Sequence, residues 1–458
     1  MKQITQVPAD LPYQLVNFGV DTLVLNVRYA DDNMQPVRAE LPEHVEERLN
    51  AWQTMAKERE EPVAVPLVFH EANLLIYPHG AGKGQWRWLF NCPAFKLYVG
   101  RGRLNGVVAQ VRLAASYLWS CEDMGTLQQD IWPLIVEVGD FLTTLFGADV
   151  RAMHLQVSEV HLCADIAGWD VARCDWQHAF LSRARRRTNR AEESDVAGGA
   201  GVAVLSGRRL ATLEFGAHGS PLSCSMYNKS LEIKSSGKVW FEDIWKRHGW
   251  DGSSHVWRVE FRWKREALHE IKQEDVFHGI ESINDLGLAG RLAYLWTYAA
   301  GHTQGGEEDL PDGWLRYAQP SDDTNSARWL VHPAWVVVQS AFCIETEPAV
   351  NIHTGEVVDL PASPLAVLIR ERQYQVNVKR LSQQIGGCAS TLAAWLGSAG
   401  DDLPTVFAWL VEHLPGYVLA DLASIAPPDL LRAEYDLQFA DTVGEKRVLY
   451  GLQSTYAQ

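Results

Sequence analysis

Three stretches in the middle of the chain alternate apolar and polar side chains, at residues 153–166, 223–229 and 256–264. Successive side chains of a β-strand point to opposite faces, so this pattern predicts strands with one apolar and one polar face. The polar faces would carry Glu159, His161, Cys163 and Asp165 in the first stretch, Ser223, Ser225, Tyr227 and Lys229 in the second, and Arg258, Glu260, Arg262 and Lys264 in the third. If the three strands lie in one sheet, these side chains gather on one surface.

The other elements place these strands within an α+β fold. Shorter strand-like stretches precede them, and residues 127–146 carry an apolar stripe at helical spacing that ends at Gly147. Strands, a helix and then more strands predict an antiparallel sheet backed by helices. Beyond residue 275 the pattern turns helical, which predicts an all-helical C-terminal region.

We therefore predict three regions: an α+β domain at residues 1–275, a helical connector with acidic linkers at 276–360, and a C-terminal helical domain at 361–458. Within the last region, residues 378–396 have helix-turn-helix spacing, with Leu381, Ile385 and Leu392 as its core. Many helical hairpins that never touch DNA show the same spacing, so both interpretations stay open.

The polar surface combines two kinds of chemistry. Imidazole and carboxylate groups, here His161, Asp165 and Glu260, suit a divalent cation. A tyrosine hydroxyl beside a cation and basic residues suits attack on a phosphodiester, and Tyr227 has that position. The alternative is an edge-strand tyrosine that only extends its hydroxyl to water.

The same stretches resemble the Rep_trans family of rolling-circle replication initiators of plasmids and filamentous phages, which includes some conjugative relaxases. One family block matches Thr212-Leu213-Glu214-Phe215-Gly216, Ser220 and Tyr227-Asn228-Lys229 with Glu232, and another matches Trp257-Arg258-Val259-Glu260 with Arg262, Lys264 and Arg265. The remaining block, Ser158 to Asp165, keeps its last Asp as Asp165. It has His161 where the family has its first Asp, and Glu159 where the family has Arg.

The resemblance implies a nicking-domain fold and an enzyme that cuts and rejoins DNA. Tyr227 would be the nucleophile and would form a covalent 5′-phosphotyrosine. Mg²⁺ or Mn²⁺ would be held by Asp165, Glu260 and His161, and Lys229 and Arg258 are candidates for phosphate contacts. The expected function is initiation of rolling-circle replication. The alternatives are a conjugative relaxase with the same chemistry and a catalytically inactive DNA-binding regulator.

The charge distribution changes this picture only locally. The chain has 458 residues and a net charge of −16, yet residues 151–274 hold 19 Lys and Arg against 16 Asp and Glu. The basic run Arg183, Arg185, Arg186 and Arg187 could contact the DNA backbone, or it could be a solvated helix end. Arg262 and Lys264 are further candidates for DNA contacts.

The remaining expectations concern partners and compartment. The partners would be single-stranded or extruded origin DNA, a host helicase and a polymerase, and a homodimer is kept open. Seven scattered cysteines without a CxxC pair favour a reducing cytoplasm. The N-terminus lacks a signal-peptide core, and we find no run of about 18 apolar residues, so no membrane association is expected.

Overall fold

The computed structural model describes residues 11–342, with gaps at 32, 34, 38, 83–85, 103–105, 121–131, 148–152, 175, 184–201, 207–208, 217–219, 273–278, 288–289 and 303–312, and also residues 349–350, 357–358 and 369–370. The chain divides into two compact units, Met1–Glu371 and Arg372–Gln458, and every described residue lies in the first. The candidate helix-turn-helix at 378–396 lies outside the described residues. The two boundaries between the three predicted regions stay predictions.

Seventeen strands are present in the described residues. They are β1 (Gln14–Tyr29), β2 (Val63–Phe69), β3 (Ala72–Ile76), β4 (Trp88–Asn91), β5 (Phe95–Val99), β6 (Val107–Leu113), β7 (Met153–Ala167), β8 (Phe180–Ser182), β9 (Val202–Ser206), β10 (Arg209–Phe215), β11 (Leu222–Asn228), β12 (Val256–Lys264), β13 (Ile271–Lys272), β14 (Leu315–Tyr317), β15 (Ala349–Val350), β16 (Val357–Val358) and β17 (Ile369–Arg370).

Ten α-helices connect and cover the strands in the same part of the chain. They are α1 (Glu43–Arg59), α2 (Ala115–Ser120), α3 (Trp132–Phe146), α4 (Trp176–Ala179), α5 (Lys229–Ser236), α6 (Phe241–Arg247), α7 (Arg265–Glu270), α8 (Ile283–Gly287), α9 (Arg291–Ala300) and α10 (Pro333–Gln339). None of the described helices is long and apolar enough to span a membrane.

The centre of the fold is an antiparallel sheet of eleven strands. Their order is β2-β3-β4-β5-β6-β1-β7-β12-β11-β10-β9. The two longest strands, β1 and β7, lie in the middle and pair along almost their whole length, from Gln14 opposite Ala167 to Tyr29 opposite Met153. A large antiparallel sheet with helices packed on it confirms the predicted α+β class.

One face of the sheet holds the main hydrophobic core. In β12 the alternating residues Trp257, Val259, Phe261 and Trp263 are all buried. Helix α9 packs on this face, where the ring of Trp296 meets that of Phe261 edge-on at 5.2 Å between centroids. The other face is the polar one, and α5 and α6 cover one end of it through a second, smaller hydrophobic cluster that includes Phe241 and Trp245.

The chain after residue 275 is more varied than its pattern predicts. Its first two described helices are α8 and α9, and Gly290, just before α9, adopts a left-handed backbone conformation with φ 79°. Strand β14 lies in a segment expected to be an acidic linker, and it pairs with β8. An alternation of apolar and polar residues cannot be recognised over three positions, so the sequence does not predict this strand.

Candidate functional site

The structure brings the three alternating stretches side by side, as β7, β12 and β11. Directly opposite residues of antiparallel strands share a face. Asp165 of β7 lies opposite Arg258 of β12, and His161 lies opposite Arg262. Tyr227 of β11 lies opposite Arg258 from the other side. The predicted gathering of His161, Asp165, Tyr227 and Glu260 on one surface is therefore present in the sheet.

Tyr227 donates a hydrogen bond from its hydroxyl to Glu260 Oε2 at 3.0 Å. Burial and, after it, the negative charge of Glu260 raise the pKa of Tyr227 well above its usual value. The resting side chain is therefore a neutral phenol. Its proton already points at a carboxylate on the neighbouring strand.

Glu260 connects Tyr227 to two cations. Its Oε1 accepts a hydrogen bond from Arg262 Nε at 3.1 Å and lies 3.0 Å from His161 Nδ1. Burial acts to raise the pKa of this carboxyl, but the hydrogen bond and charge of His161 outweigh it, with smaller contributions from Arg262 and Arg258, and the pKa is lowered. Glu260 is thus a buried carboxylate that stays ionised.

His161 lies between two carboxylates. Its Nε2 is 2.6 Å from Glu159 Oε1, and its Nδ1 faces Glu260 on the other side. Burial acts to lower the pKa of this imidazole, but the hydrogen bonds and charges of Glu159 and Glu260 outweigh it and raise the pKa to about 9. The ring is therefore protonated at neutral pH, and both of its nitrogens donate.

Asp165 and Arg258 form a separate, completely buried ion pair. The guanidinium binds the carboxylate in a bidentate manner, with Nε at 2.6 Å from Oδ1 and Nη2 at 2.8 Å from Oδ2. Arg258 Nη1 also donates to Asp21 Oδ1 at 2.5 Å, and Trp245 Nε1 donates to Asp165 Oδ2 at 2.9 Å. The centre of the Phe241 ring lies 4.7 Å from the guanidinium carbon, and neither charged side chain of the pair is exposed.

The three predicted metal ligands, as they lie, do not fit a divalent cation. Both oxygens of Asp165 are bound by Arg258, and each nitrogen of His161 lies within 3.0 Å of a carboxylate oxygen, Glu159 on one side and Glu260 on the other. Among the residues that the structure describes, no group of three or more His, Cys, Asp or Glu side chains is arranged to hold a metal ion. The Mg²⁺ or Mn²⁺ site stays a prediction.

Lys229 lies just beyond the end of β11, in a helix, yet its ammonium remains 5.5 Å from the centre of the Tyr227 ring. β11 ends at Asn228, whose side-chain Oδ1 accepts from the backbone N–H of Leu231 at 3.1 Å and so caps α5. Lys229 is the first residue of that helix. Its Nζ is buried, 2.6 Å from Glu232 Oε2 and 4.5 Å from the centroid of the Phe241 ring.

The predicted phosphate contacts of Lys229 and Arg258 stay predictions. Both cations are buried and already pair with carboxylates, so a phosphate would have to displace Glu232 or Asp21. Arg262 is different, because a quarter of its side chain is exposed beside Glu260. Lys264 lies opposite Glu159 on the same face.

Of the basic run, only Arg183 is described. Its backbone N–H donates to Trp314 O, which extends the pairing of β8 with β14. Arg185, Arg186 and Arg187 lie outside the described residues. The role of this run in DNA contact therefore stays a prediction.

Three residues outside the predicted set complete the site: Asp21, Phe241 and Trp245. Asp21 itself lies at the irregular pairing position of β1, between Val20 and Thr22, so no alternation marks it. Trp245 and Phe241 lie in an aromatic segment whose default interpretation is packing. Both do pack, but the indole N–H of Trp245 also binds Asp165. A lone buried carboxylate is the signal that could have prompted a search for such a donor.

Comparison with known proteins gives a distant likeness among solved structures. No family model and no curated protein matches this chain. Among solved structures, the chain is similar to the rolling circle replication initiator protein from Geobacillus stearothermophilus, with 12% sequence identity and a TM-score of 0.36. The match covers 71% of this chain and 96% of that chain.

Proposed function

We propose that this protein nicks and rejoins DNA through Tyr227 and thereby initiates rolling-circle replication of a plasmid or phage. The observation that carries the proposal is the hydrogen bond from the Tyr227 hydroxyl to Glu260, across two paired strands that match the blocks of the Rep_trans pattern. A nucleophile within hydrogen-bond reach of a base, with that base oriented by a third group, is the arrangement used in covalent catalysis. Here His161 and Arg262 are the orienting groups.

The reaction would proceed by attack of the Tyr227 oxygen on a DNA phosphorus. The O–P bond to tyrosine forms and the bond from phosphorus to the 3′ oxygen breaks, which leaves a 5′-phosphotyrosine. The phenol proton passes to Glu260, and the leaving 3′ oxygen takes a proton from water. Because the phosphotyrosine keeps the energy of the broken ester, the reverse attack by a 3′ hydroxyl can rejoin the strand.

Two opposed pKa shifts restrain this chemistry in the free protein. The pKa of Tyr227 is raised and that of Glu260 is lowered, so the proton stays on the phenol at rest. Proton transfer must then accompany attack, which requires a base that is already in place. The free protein would hold an oriented but unreactive nucleophile until DNA is bound.

The products define the partners that the proposal requires. The free 3′ hydroxyl would prime a polymerase, and a helicase would separate the strands. A conjugative relaxase uses the same bond changes, so the same site is compatible with plasmid mobilisation.

The first prediction tests the nucleophile. Tyr227→Phe should abolish covalent protein–DNA adducts, because the attacking oxygen is gone, and should change DNA affinity by less than about twofold. Adducts are measured with radiolabelled origin DNA on denaturing gels, and the modified peptide is identified by mass spectrometry. Glu260→Gln should lower the rate of adduct formation by about 10²–10⁴, the usual contribution of a general base.

A second tyrosine variant serves as the control for Tyr227→Phe. A Tyr298→Phe variant, which changes a tyrosine outside this face, should form adducts at the wild-type rate. Adduct formation by Tyr227→Phe would assign the chemistry to another residue. Sequence-specific binding of wild-type protein without any adduct would instead identify a DNA-binding regulator that lacks the chemistry.

A further inference from the structure

The polar face extends well beyond the strands that carry Tyr227. Cross-strand pairing aligns Lys96 of β5 with Arg112 of β6, Arg112 with Val24 of β1, Val24 with Glu159 of β7, and Glu159 with Lys264 of β12. We call the charged members of this line, Lys96, Arg112, Glu159 and Lys264, the basic row. With neighbouring strands about 4.8 Å apart, the row extends for about 19 Å across five strands.

The basic row is accessible and locally positive. Lys96 and Arg112 are exposed, and Lys264 is partly exposed. Glu159 is the row's one acidic member, and it lies directly opposite Lys264 in the sheet. Three cations against one carboxylate give the row a positive balance, although the chain as a whole has a net charge of −16.

A second line lies two residues along the same face and is neutral. It aligns Tyr98 of β5 with Gln110 of β6, Gln110 with Asn26 of β1, and Asn26 with Gln156 of β7. All four side chains are partly exposed. Tyr98 also lies near Trp86, with 6.2 Å between ring centroids. We call this line the amide row.

Resting on the proposed function, we infer that the basic and amide rows together bind single-stranded DNA that leads to Tyr227. Phosphates would lie along the basic row, and unpaired bases would meet the amides and stack on Tyr98. From Lys264 the polar side chains of β12 continue through Arg262 to Glu260, the partner of Tyr227. At about 3.4 Å per stacked nucleotide, the row matches roughly five nucleotides.

The geometry favours a single strand over a duplex. Base readout in a duplex needs a helix or a two-stranded ribbon that enters a groove. The rows lie within a broad sheet, flanked on both sides by further strands. Positive side chains that follow a backbone, with aromatic rings for the bases, are typical of single-strand binding surfaces.

The test is DNA affinity in full-length variants of the basic row. A fluorescein-labelled 15-nucleotide single strand of mixed sequence and the corresponding duplex are titrated by fluorescence anisotropy between 50 and 200 mM salt. Lys96→Glu with Arg112→Glu should weaken single-strand binding by at least tenfold, and Lys96→Gln with Arg112→Gln by severalfold. The slope of log K against log salt should fall by about 1.4 in the neutral variant, since each lost phosphate contact contributes about 0.7.

The matched control reverses two charges elsewhere. Lys57→Glu with Arg59→Glu makes the same charge change at exposed positions of α1, and single-strand affinity should stay within about twofold of wild type. Tyr98→Ala, which removes a stacking ring, should weaken single-strand binding by about fivefold or more. Circular dichroism verifies that each variant is folded. If Lys96→Glu with Arg112→Glu does not fold, the affinity of Lys96→Gln with Arg112→Gln decides the test.

Several outcomes would overturn the inference. One is equal loss of affinity in the row and α1 variants, which would mean that only net charge matters. Another is loss of duplex binding with unchanged single-strand binding, and a third is no single-strand binding by wild type. The adduct assay is independent: adducts with unaffected row variants would overturn only this inference, and row-dependent binding without adducts would overturn only the proposed function.

Discussion

Arg258 shows how strongly single residues of this site depend on one another. It is completely buried and binds the carboxylates of Asp165 and Asp21. Removing one partner of a buried ion pair leaves an uncompensated charge, which destabilises more than the intact pair stabilises. The main structural role of Asp165 is therefore to neutralise the buried positive charge of Arg258.

Asp165→Asn should lower the free energy of unfolding by about 3–5 kcal/mol, because it leaves Arg258 underpaired. Urea unfolding at pH 7 measures the change. Replacing both partners, Asp165→Leu with Arg258→Met, should be less destabilising than Arg258→Met alone, which leaves the carboxylates of both Asp165 and Asp21 unpaired. Unchanged stability in Asp165→Asn, together with lost binding of Mn²⁺ by calorimetry, would instead support Asp165 as a metal ligand.

His161 should make stability depend on pH. Its folded pKa of about 9 exceeds the ordinary value of 6.5, so its contribution is complete below pH 6.5 and is lost as pH rises to about 9. We expect wild type to lose about 1–3 kcal/mol of unfolding free energy across that window relative to His161→Gln. Urea unfolding of both proteins from pH 6 to pH 9.5 gives the difference, and a difference that does not change with pH would show that the ring is neutral in the fold.

At the level of elements, the boundary between β11 and α5 positions the nucleophile. Tyr227 is the last strand residue before Asn228, which ends β11 and caps α5. One residue later, Lys229 already follows helical geometry and points to Glu232. The Tyr-Asn-Lys sequence therefore combines a strand end, a helix cap and a helix start.

Asn228→Ala should lower the free energy of unfolding by about 1 kcal/mol, because the N–H of Leu231 loses its acceptor. Asn228→Asp keeps an acceptor at the cap and should stay near wild-type stability. Thermal unfolding followed by circular dichroism compares the three proteins. Equal destabilisation by both substitutions would mean that the amide group, and not the cap, is what matters.

At the level of the whole molecule, the sequence predicts which face of a strand each side chain occupies better than it predicts which strands pair. The alternation in β7 and β12 identifies Glu260 and His161 as polar-face residues because side-chain direction is a local property of a strand. The alternation within a strand does not show which strands are its neighbours. The position of β12 between β7 and β11 therefore could not be predicted from it, because the paired residues are far apart in sequence. The protonation of His161 depends in turn on those neighbours, so it could not be derived from the sequence alone.

The position of β12 also has a consequence for synthesis. β12 is made after β11, yet it lies between β11 and β7 in the sheet. The hairpins of β9, β10 and β11 therefore leave the ribosome a few seconds before the strand on which they dock. Because Glu260 belongs to that late strand, a nascent chain carries Tyr227 without its base. Under the proposed function, a chain that has not yet added β12 has no base beside Tyr227, so it should cut DNA far more slowly than the protein with its complete sheet.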